Sequence, residues 1–336
     1  MDQGYFETAR DGAQTLAAER LMSFQRLKPS SALELRAYDI DHFGETERYA
    51  GASSMPLAVG ATAIMRARLS LPTLTLSLVK TFPRIVRGYQ LTNAIAVSVP
   101  MDHVTSARIN GQSLGRSIVI LKGNSDCLVH EPEGRLIAIV YFTPPRREPW
   151  AQLDDGYHLV NPTSDAFVSL RRLVSVTLET AAHDPDFLNE PISLSAVEQS
   201  LLSTMETALT SSAKGGPASS AMDGYRRIVA DMERLIQQDL TISHKTPELA
   251  EQVGVSVRTL QSATQTICGI SPHRYSRILR LWSVRKQLRI GVGRRSVKAC
   301  AIAHGFWHLG EFAASYKAAF GELPSDTLHR AMRETI

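Results

Sequence analysis

Residues 247–267, "PELAEQVGVSVRTLQSATQTI", and residues 296–316, "SVKACAIAHGFWHLGEFAASY", decide how this chain reads, because they are two versions of one pattern. In the first, Leu249, Ala250 and Val253 mark a short apolar-faced helix, Gly254 supplies the positive φ that ends it, Val255 plugs the core and Ser256 caps the next helix. Ala250 is small where the two helices must cross closely. In the second, Cys300 and Ala301 stand for Leu249 and Ala250, Gly305 for Gly254, Phe306 for Val255 and Phe312 for Leu260 as inward anchor, with His308 in the capping region. Each is a helix-turn-helix pattern. One alone says little, since any helix pair joined through glycine imitates it; a tandem pair is specific.

The two glycines lie 51 residues apart, and "SPHRYSRILRLWSVRKQLR" between them is long enough to be one rigid helix. A helix of ~17 residues spans about 26 Å. That length holds two recognition helices near the ~34 Å separating successive major grooves on one face of DNA. The spacer carries Arg274, Arg277, Arg280, Arg285, Lys286 and Arg289, residue types suited to phosphates. "GVGRRSVK" (291–298), which contains Arg295, reads equally as a solvated turn or a phosphate contact.

Around these units the spacing predicts seven helices, at 225–238, 247–253, 257–267, 272–289, 297–304, 308–320 and 325–333. Thr246-Pro247, Ser256, Ser271-Pro272 and Ser296 serve as their start signals. Charge separates this region from the rest: residues 222–336 hold 17 basic and 10 acidic side chains, whereas the preceding 221 residues hold 20 and 23. A basic domain joined to a slightly acidic one suits a nucleic-acid binder with a separate regulatory module.

Upstream, "TLTLSLVKT" (73–81) and "AIAVSV" (94–99) alternate with period two, and "SIVIL" (117–121) and "RLIAIVYF" (135–142) are continuous enough to be buried on both faces. Gly111, Gly115, Gly123 and "EPEG" (131–134) are where hairpins should turn. Residues 1–160 therefore read as a β-rich sensing domain of the jelly-roll or cupin-like class. In 161–210 two amphipathic helices carry Phe167, Leu170, Val174, Leu178 and Ala181, then Leu194, Val197, Leu201 and Met205. They suit a dimerisation hairpin or a pair packed on the β domain. The small, polar 211–224 reads as a linker and 225–336 as the tandem helix-turn-helix domain, giving an α+β, multidomain chain.

Residues 225–331 resemble the DNA-binding domain of the AraC/XylS family of bacterial transcriptional regulators, through "LAEQVGVSVRTLQ" (249–261), "GISPHRYSRILRL" (269–281) and "GFWHLGEFAASYKAAFGELPSDTL" (305–328). The resemblance implies a sequence-specific regulator, usually an activator, whose partners are double-stranded promoter DNA, RNA polymerase, a small-molecule effector of unknown identity and a second copy of itself. It places Arg258, Thr259, Gln261, Ser262 and Gln265 on the exposed face of the first recognition helix, beside the cap Ser256, and His308, Gly310, Glu311, Ala314 and Lys317 on that of the second. Arg274, Arg277 and Arg295 are the expected phosphate contacts. Family members commonly carry arginine at the positions of Ser262 and Ala314 and an aromatic residue at that of Thr264. Base reading is then expected to fall to Arg258, Gln261, His308 and Glu311, with a loosely held first helix.

Rival readings are a regulator governed by a protein partner and one whose DNA specificity has decayed. Zinc on Cys300, His304 and His308 is not expected, because Gly305 puts His308 on a different helix. His103, His130, Glu131 and Glu133 read as exposed loop residues, so no cofactor, metal or catalysis is expected. Trp282, Tyr275 and Trp307 read as core or phosphate-flanking residues rather than base-stacking ones. Three cysteines without paired spacing, no ~18-residue apolar run and no basic-apolar leader point to a cytoplasmic protein away from membranes.

Overall fold

The computed structural model describes residues 23–38, 53–57, 64–103, 106–143, 149–211, 220–290 and 296–334. The first half builds one antiparallel sheet from β1 (Leu33–Tyr38), β2 (Ser53–Pro56), β3 (Ile64–Ser70), β4 (Leu74–Lys80), β5 (Arg84–Pro100), β6 (Arg108–Ile109), β7 (Gln112–Ser113), β8 (Ile118–Glu131), β9 (Leu136–Phe142) and β10 (Gly156–Val160). Its order is β1-β3-β4-β9-β5-β8-β6-β7, with β10 paired to β8 and β2 to β5. The two long strands β5 and β8 run side by side from Arg84 opposite Glu131 to Ser98 opposite Val119. Their register breaks between Gln90 and Ile95, where Asn93 has a positive φ. Gly123 lies in this irregular stretch inside β8 rather than at a hairpin turn, because the bulge on β5 lets the chain bend without ending the ladder.

Alternation along the strands sends neighbours to different cores. Ile95, Val97, Val99, Ile118 and Ile120 join the core beneath the helices α1 (Ser164–His183) and α2 (Pro191–Thr210). Ala96, Val119 and Leu121 join Val86, Ile109 and Val129 on the opposite face. Both sides of these strands are buried, as their unbroken apolar runs require. The two helices form a hairpin laid on the sheet through Phe167, Leu170, Val174, Leu178, Leu201 and Met205. Polar bonds fix its seat: Trp150 Nε1 donates to Glu206 (2.9 Å), Thr73 donates its backbone N–H and hydroxyl to the buried Glu198 (2.6 and 2.9 Å), and Arg171 donates to the carbonyl of Met101 (2.9 Å).

The second half is helical: α3 (Ser220–Gln238), α4 (Thr246–Val253), α5 (Val257–Cys268), α6 (Pro272–Ile290), α7 (Val297–Ala303), α8 (Leu309–Phe320) and α9 (Pro324–Glu334). Seven helices were expected here, and they fall close to the expected bounds. Two details differ. α3 opens five residues before Tyr225, inside the stretch read as linker, of which 212–219 lie outside the described residues. Thr246 is helical and Lys245 takes the cap position, because Glu248 accepts the backbone N–H of Lys245 and closes the first turn.

The helical half holds two cores. One gathers Leu281, Val284, Leu288, Cys300, Ala301, Phe306, Phe312, Tyr316 and Phe320. The other, around Val229, Met232, Leu249, Leu260, Ala263 and Ile267, also takes in Met55, Leu57, Ile85 and Leu128 from β2, β5, β8 and the residue after β2. The β domain and the first helix-turn-helix therefore share a core. At its edge Arg87 forms an ion pair with Glu233, and Tyr275 donates its phenol to the same carboxylate (2.7 Å). Burial, reinforced by Glu233, raises the Tyr275 pKa well above the usual phenol value, so it stays a donor.

His130 and Glu131, expected in an exposed loop, are buried, because β8 runs on through both and lies beneath the helical half. Glu131 pairs with Arg84 (2.7 Å) and accepts from Thr81 (3.2 Å). The imidazole of His130 sits over Gly269, the residue that closes α5; a Cβ there would lie 2.1 Å from the ring. His103 is exposed, and Glu133 accepts from Ser106 (3.0 Å).

Burial, then Arg108 and more weakly Arg274, lower the pKa of His130, against the opposing pull of Glu131. The folded chain thus holds the ring neutral. An unfolded histidine takes up a proton near pH 6.5, so stability present above that value is lost as pH falls toward the lowered folded pKa. Thermal melts at pH 7.5 and 5.5 should show a larger drop for the wild type than for His130→Gln; equal drops would refute the assignment. Tyr275→Phe leaves Glu233 one charge-assisted donor short and should cost about 1.5–3 kcal/mol in chemical denaturation.

Candidate nucleic-acid interface

Both helix-turn-helix units are built on the same local bond. At the first turn the N–H of Val255 bonds the carbonyl of Ala250 (2.9 Å); at the second the N–H of Phe306 bonds that of Ala301 (3.0 Å). Gly254 and Gly305 sit at φ +77° and +72° to let the chain reverse. Gly305 is needed twice over, since a Cβ there would stand 2.7 Å from the carbonyl oxygen of Thr241. Ser256 caps α5 by accepting the N–H of Thr259 (3.0 Å), and Ser296 caps α7 by accepting that of Ala299 (3.2 Å). α8 opens one residue later than expected. His308 is its cap residue and makes no side-chain cap bond.

On α5, Arg258, Gln261 and Gln265 are exposed, while Thr259 and Ser262 are half-buried. Thr259 turns its hydroxyl to Ser256 (2.8 Å) and Gln265 donates to the carbonyl of Gly269 (3.1 Å). Arg258 and Gln261 are the long polar groups that project from this face. Thr264, where a larger aromatic was missed, is fully buried and donates its hydroxyl back to Leu260 (2.8 Å) beside Met232. On α8, His308, Gly310, Glu311, Ala314 and Lys317 are all exposed. Phe312, Tyr316 and Phe320 occupy the opposite, buried side as an edge-to-face series.

α6 joins the units. Its 19 residues span about 28 Å at the ordinary helical rise. The arginines of this helix do not share one role. Arg274 and Lys286 are exposed. Arg277 donates to the hydroxyl of Ser315 on α8 (2.6 Å). Arg280 is buried, donates to the carbonyl of His304 (3.3 Å) and lies 4.9 Å over the ring of Phe306, with its pKa lowered by burial and then by Arg277. Arg285 is buried against Phe320 and pairs with Glu322 (2.9 Å). Arg280 and Arg285, read from the sequence as phosphate ligands, are structural instead, because they fall beside Leu281, Val284 and Leu288 on the buried stripe. That three-and-four spacing was the available signal for Arg285. Arg295 lies outside the described residues.

His304 is buried, with Nδ1 bonded to the carbonyl of Cys300 (2.9 Å) and Nε2 to Ser283 (2.8 Å), so both ring nitrogens are committed within the protein. Tyr275 is buried, and Trp282 is packed edge-on to Phe320. Trp307, grouped with them from the sequence, is 72% exposed. Its position between the inward Phe306 and the cap His308 is the residue-level signal that was missed.

A helix-turn-helix domain family matches residues 249–330. Over 122 residues the chain is 34% identical to the XylDLEGF operon transcriptional activator of Pseudomonas putida, covering 36% of this chain and 35% of that protein. Over 110 residues it is 39% identical to the "Probable thc operon regulatory protein" of Rhodococcus erythropolis, covering 32% of each. The chain spans about a third of the length of these curated relatives. Among solved structures, a probable AraC family transcriptional regulator from Rhodopseudomonas palustris is 34% identical, matched over 31% of this chain and 96% of that one with a TM-score of 0.30. With two glycine-turned helix pairs on one connecting helix and these regulators matched over it, the C-terminal part of the chain, residues 249–330, is a helix-turn-helix domain similar to that of AraC/XylS-type transcriptional activators.

Proposed function

We propose that this chain is a cytoplasmic, sequence-specific regulator that sets α5 and α8 in successive major grooves of promoter DNA. The observation that carries the reading is the repeated turn bond on either side of α6, which fixes two exposed helix faces on one rigid support. Arg258 and Gln261 on α5, with His308, Glu311 and Lys317 on α8, are the side chains that reach base edges and phosphates. Arg274 is the exposed arginine of the connecting helix. Arg277 orients α8 through Ser315.

The shared core supports a route from sensing to DNA. An effector held by the β domain would shift β5 and β8, and these strands meet α3 and the end of α5 through Arg87 and His130, with Leu128 in the shared core. Only differential affinity for two arrangements moves such an equilibrium. Val176, Phe187 and Ile192 stand exposed on the helical hairpin and its connecting turn, a surface suited to a second copy of the chain. Activation is the output that the relatives' names favour, and RNA polymerase is the partner such an output requires.

Selection of duplexes by the full-length protein, followed by footprinting, tests the reading. Two protected patches about one helical turn apart are expected. Arg258→Ala should weaken the selected site by about 1–3 kcal/mol and relax the base it faces. Ala314→Arg should gain a comparable amount on duplexes with guanine at the facing position. Recovered pools without any sequence preference would refute specific recognition and favour decayed specificity.

A further inference from the structure

The second recognition face has an unusual chemistry. Ala314 and Gly310 are too small to reach a base edge by hydrogen bonding, and Glu311 repels phosphate. Yet Trp307, which precedes the cap residue His308 at the entry of α8, is exposed like Gly310, Glu311, Ala314 and Lys317 on the helix that follows. Phe306 points into the core, 7% exposed, and the next residue in the turn points out. Trp307 is 72% exposed and Leu309 beside it 36%, so the largest apolar surface in the second unit lies at the entry of α8. Trp150 is fully buried and Trp282 packs on Phe320, so neither shares this position.

We propose that Trp307 is a specificity residue of the second helix-turn-helix, laying its indole against thymine C5-methyl groups in the major groove while Ala314 and Gly310 let the helix approach closely. Each part follows from physical chemistry. Thymine alone offers a methyl group in the major groove, and an apolar side chain is its partner. Small residues on the facing helix shorten the gap that an indole can span. Trp307 is the chain neighbour of His308 and is exposed, as His308, Glu311 and Lys317 are, at the entry of the recognition helix, which makes DNA rather than a protein the occupant that the surface favours. The inference rests on the DNA-binding reading above and names the chemistry that one of its two helices recognises.

The test is a cycle between protein and DNA. A duplex recovered by selection with the full-length protein is compared with the same duplex carrying deoxyuridine for thymidine in the half facing α8. Removing one contacted methyl should weaken wild-type binding about four-fold. Trp307→Ala should weaken the thymine duplex roughly ten-fold and lose the response to deoxyuridine, whereas Trp307→Phe should keep part of both. Because the side chain is exposed, the variants should melt with the wild type, and DNA should shield Trp307 fluorescence from acrylamide. A Trp307→Ala protein that keeps wild-type affinity and the full deoxyuridine response overturns the proposal. If that protein still binds but no longer supports transcription by purified RNA polymerase, the indole belongs to a protein contact and the proposal also fails. Wild-type protein that recovers no preferred sequence defeats the DNA-binding reading itself.

Discussion

The helical half depends on one backbone bond made twice. Val255 to Ala250 and Phe306 to Ala301 each close a turn that only a left-handed residue permits, and each places an apolar plug directly after the glycine. The bond sets the angle at which the following helix leaves. A substituted Gly305 would meet both an unfavourable φ and the Thr241 carbonyl, so the second unit has no alternative residue at its turn. Everything proposed for α5 and α8 follows from these two fixed exits.

The units are alike in backbone but not in their surroundings. The second closes its core with its own helices and the following α9, stabilised by the Arg285–Glu322–Thr327 cluster and by Tyr316, whose hydroxyl lies 2.9 Å from that of Thr327. The first completes its core with residues of the sheet. Buried area removed from water on undocking would expose Met55, Leu57, Ile85 and Leu128 together, and would strand the Glu233 carboxylate without Arg87. A change in the β domain therefore reaches α5 through packed atoms, whereas α8 holds to α6 through the Arg277–Ser315 bond and its turn residue Gly305 lies against Thr241. Such an arrangement lets one helix be adjusted while the other keeps its geometry.

How much the sequence disclosed follows from which interactions are local. The glycine turns, the Ser256 and Ser296 caps and the strand alternation are set by neighbours a few residues away, and each was legible. The position of His130 was not, because what buries it is Gly269, far along the chain and on another domain. The surroundings of Thr264 were hidden for a related reason. Met232 from α3 packs beside it and its hydroxyl is satisfied inside its own helix, so the buried position is filled by partners that the local sequence does not show. Trp307 escaped because periodicity within α8 does not describe the residue preceding its cap.

The arginines of α6 show how charge counts mislead in the same way. The surplus of basic residues in 222–336 suggested a broad phosphate-binding surface. Arg280 and Arg285 are withdrawn from that surface, their planar heads laid on Phe306 and Phe320 and their donors used on carbonyl and carboxylate oxygens. Each phosphate neutralised contributes about 0.9 to the salt dependence of duplex binding. With buried arginines removed from the count, electrostatic attraction supplies less of the affinity than net charge implies. That attraction rests instead on the exposed basic groups, among them Arg258, Arg274, Lys286 and Lys317.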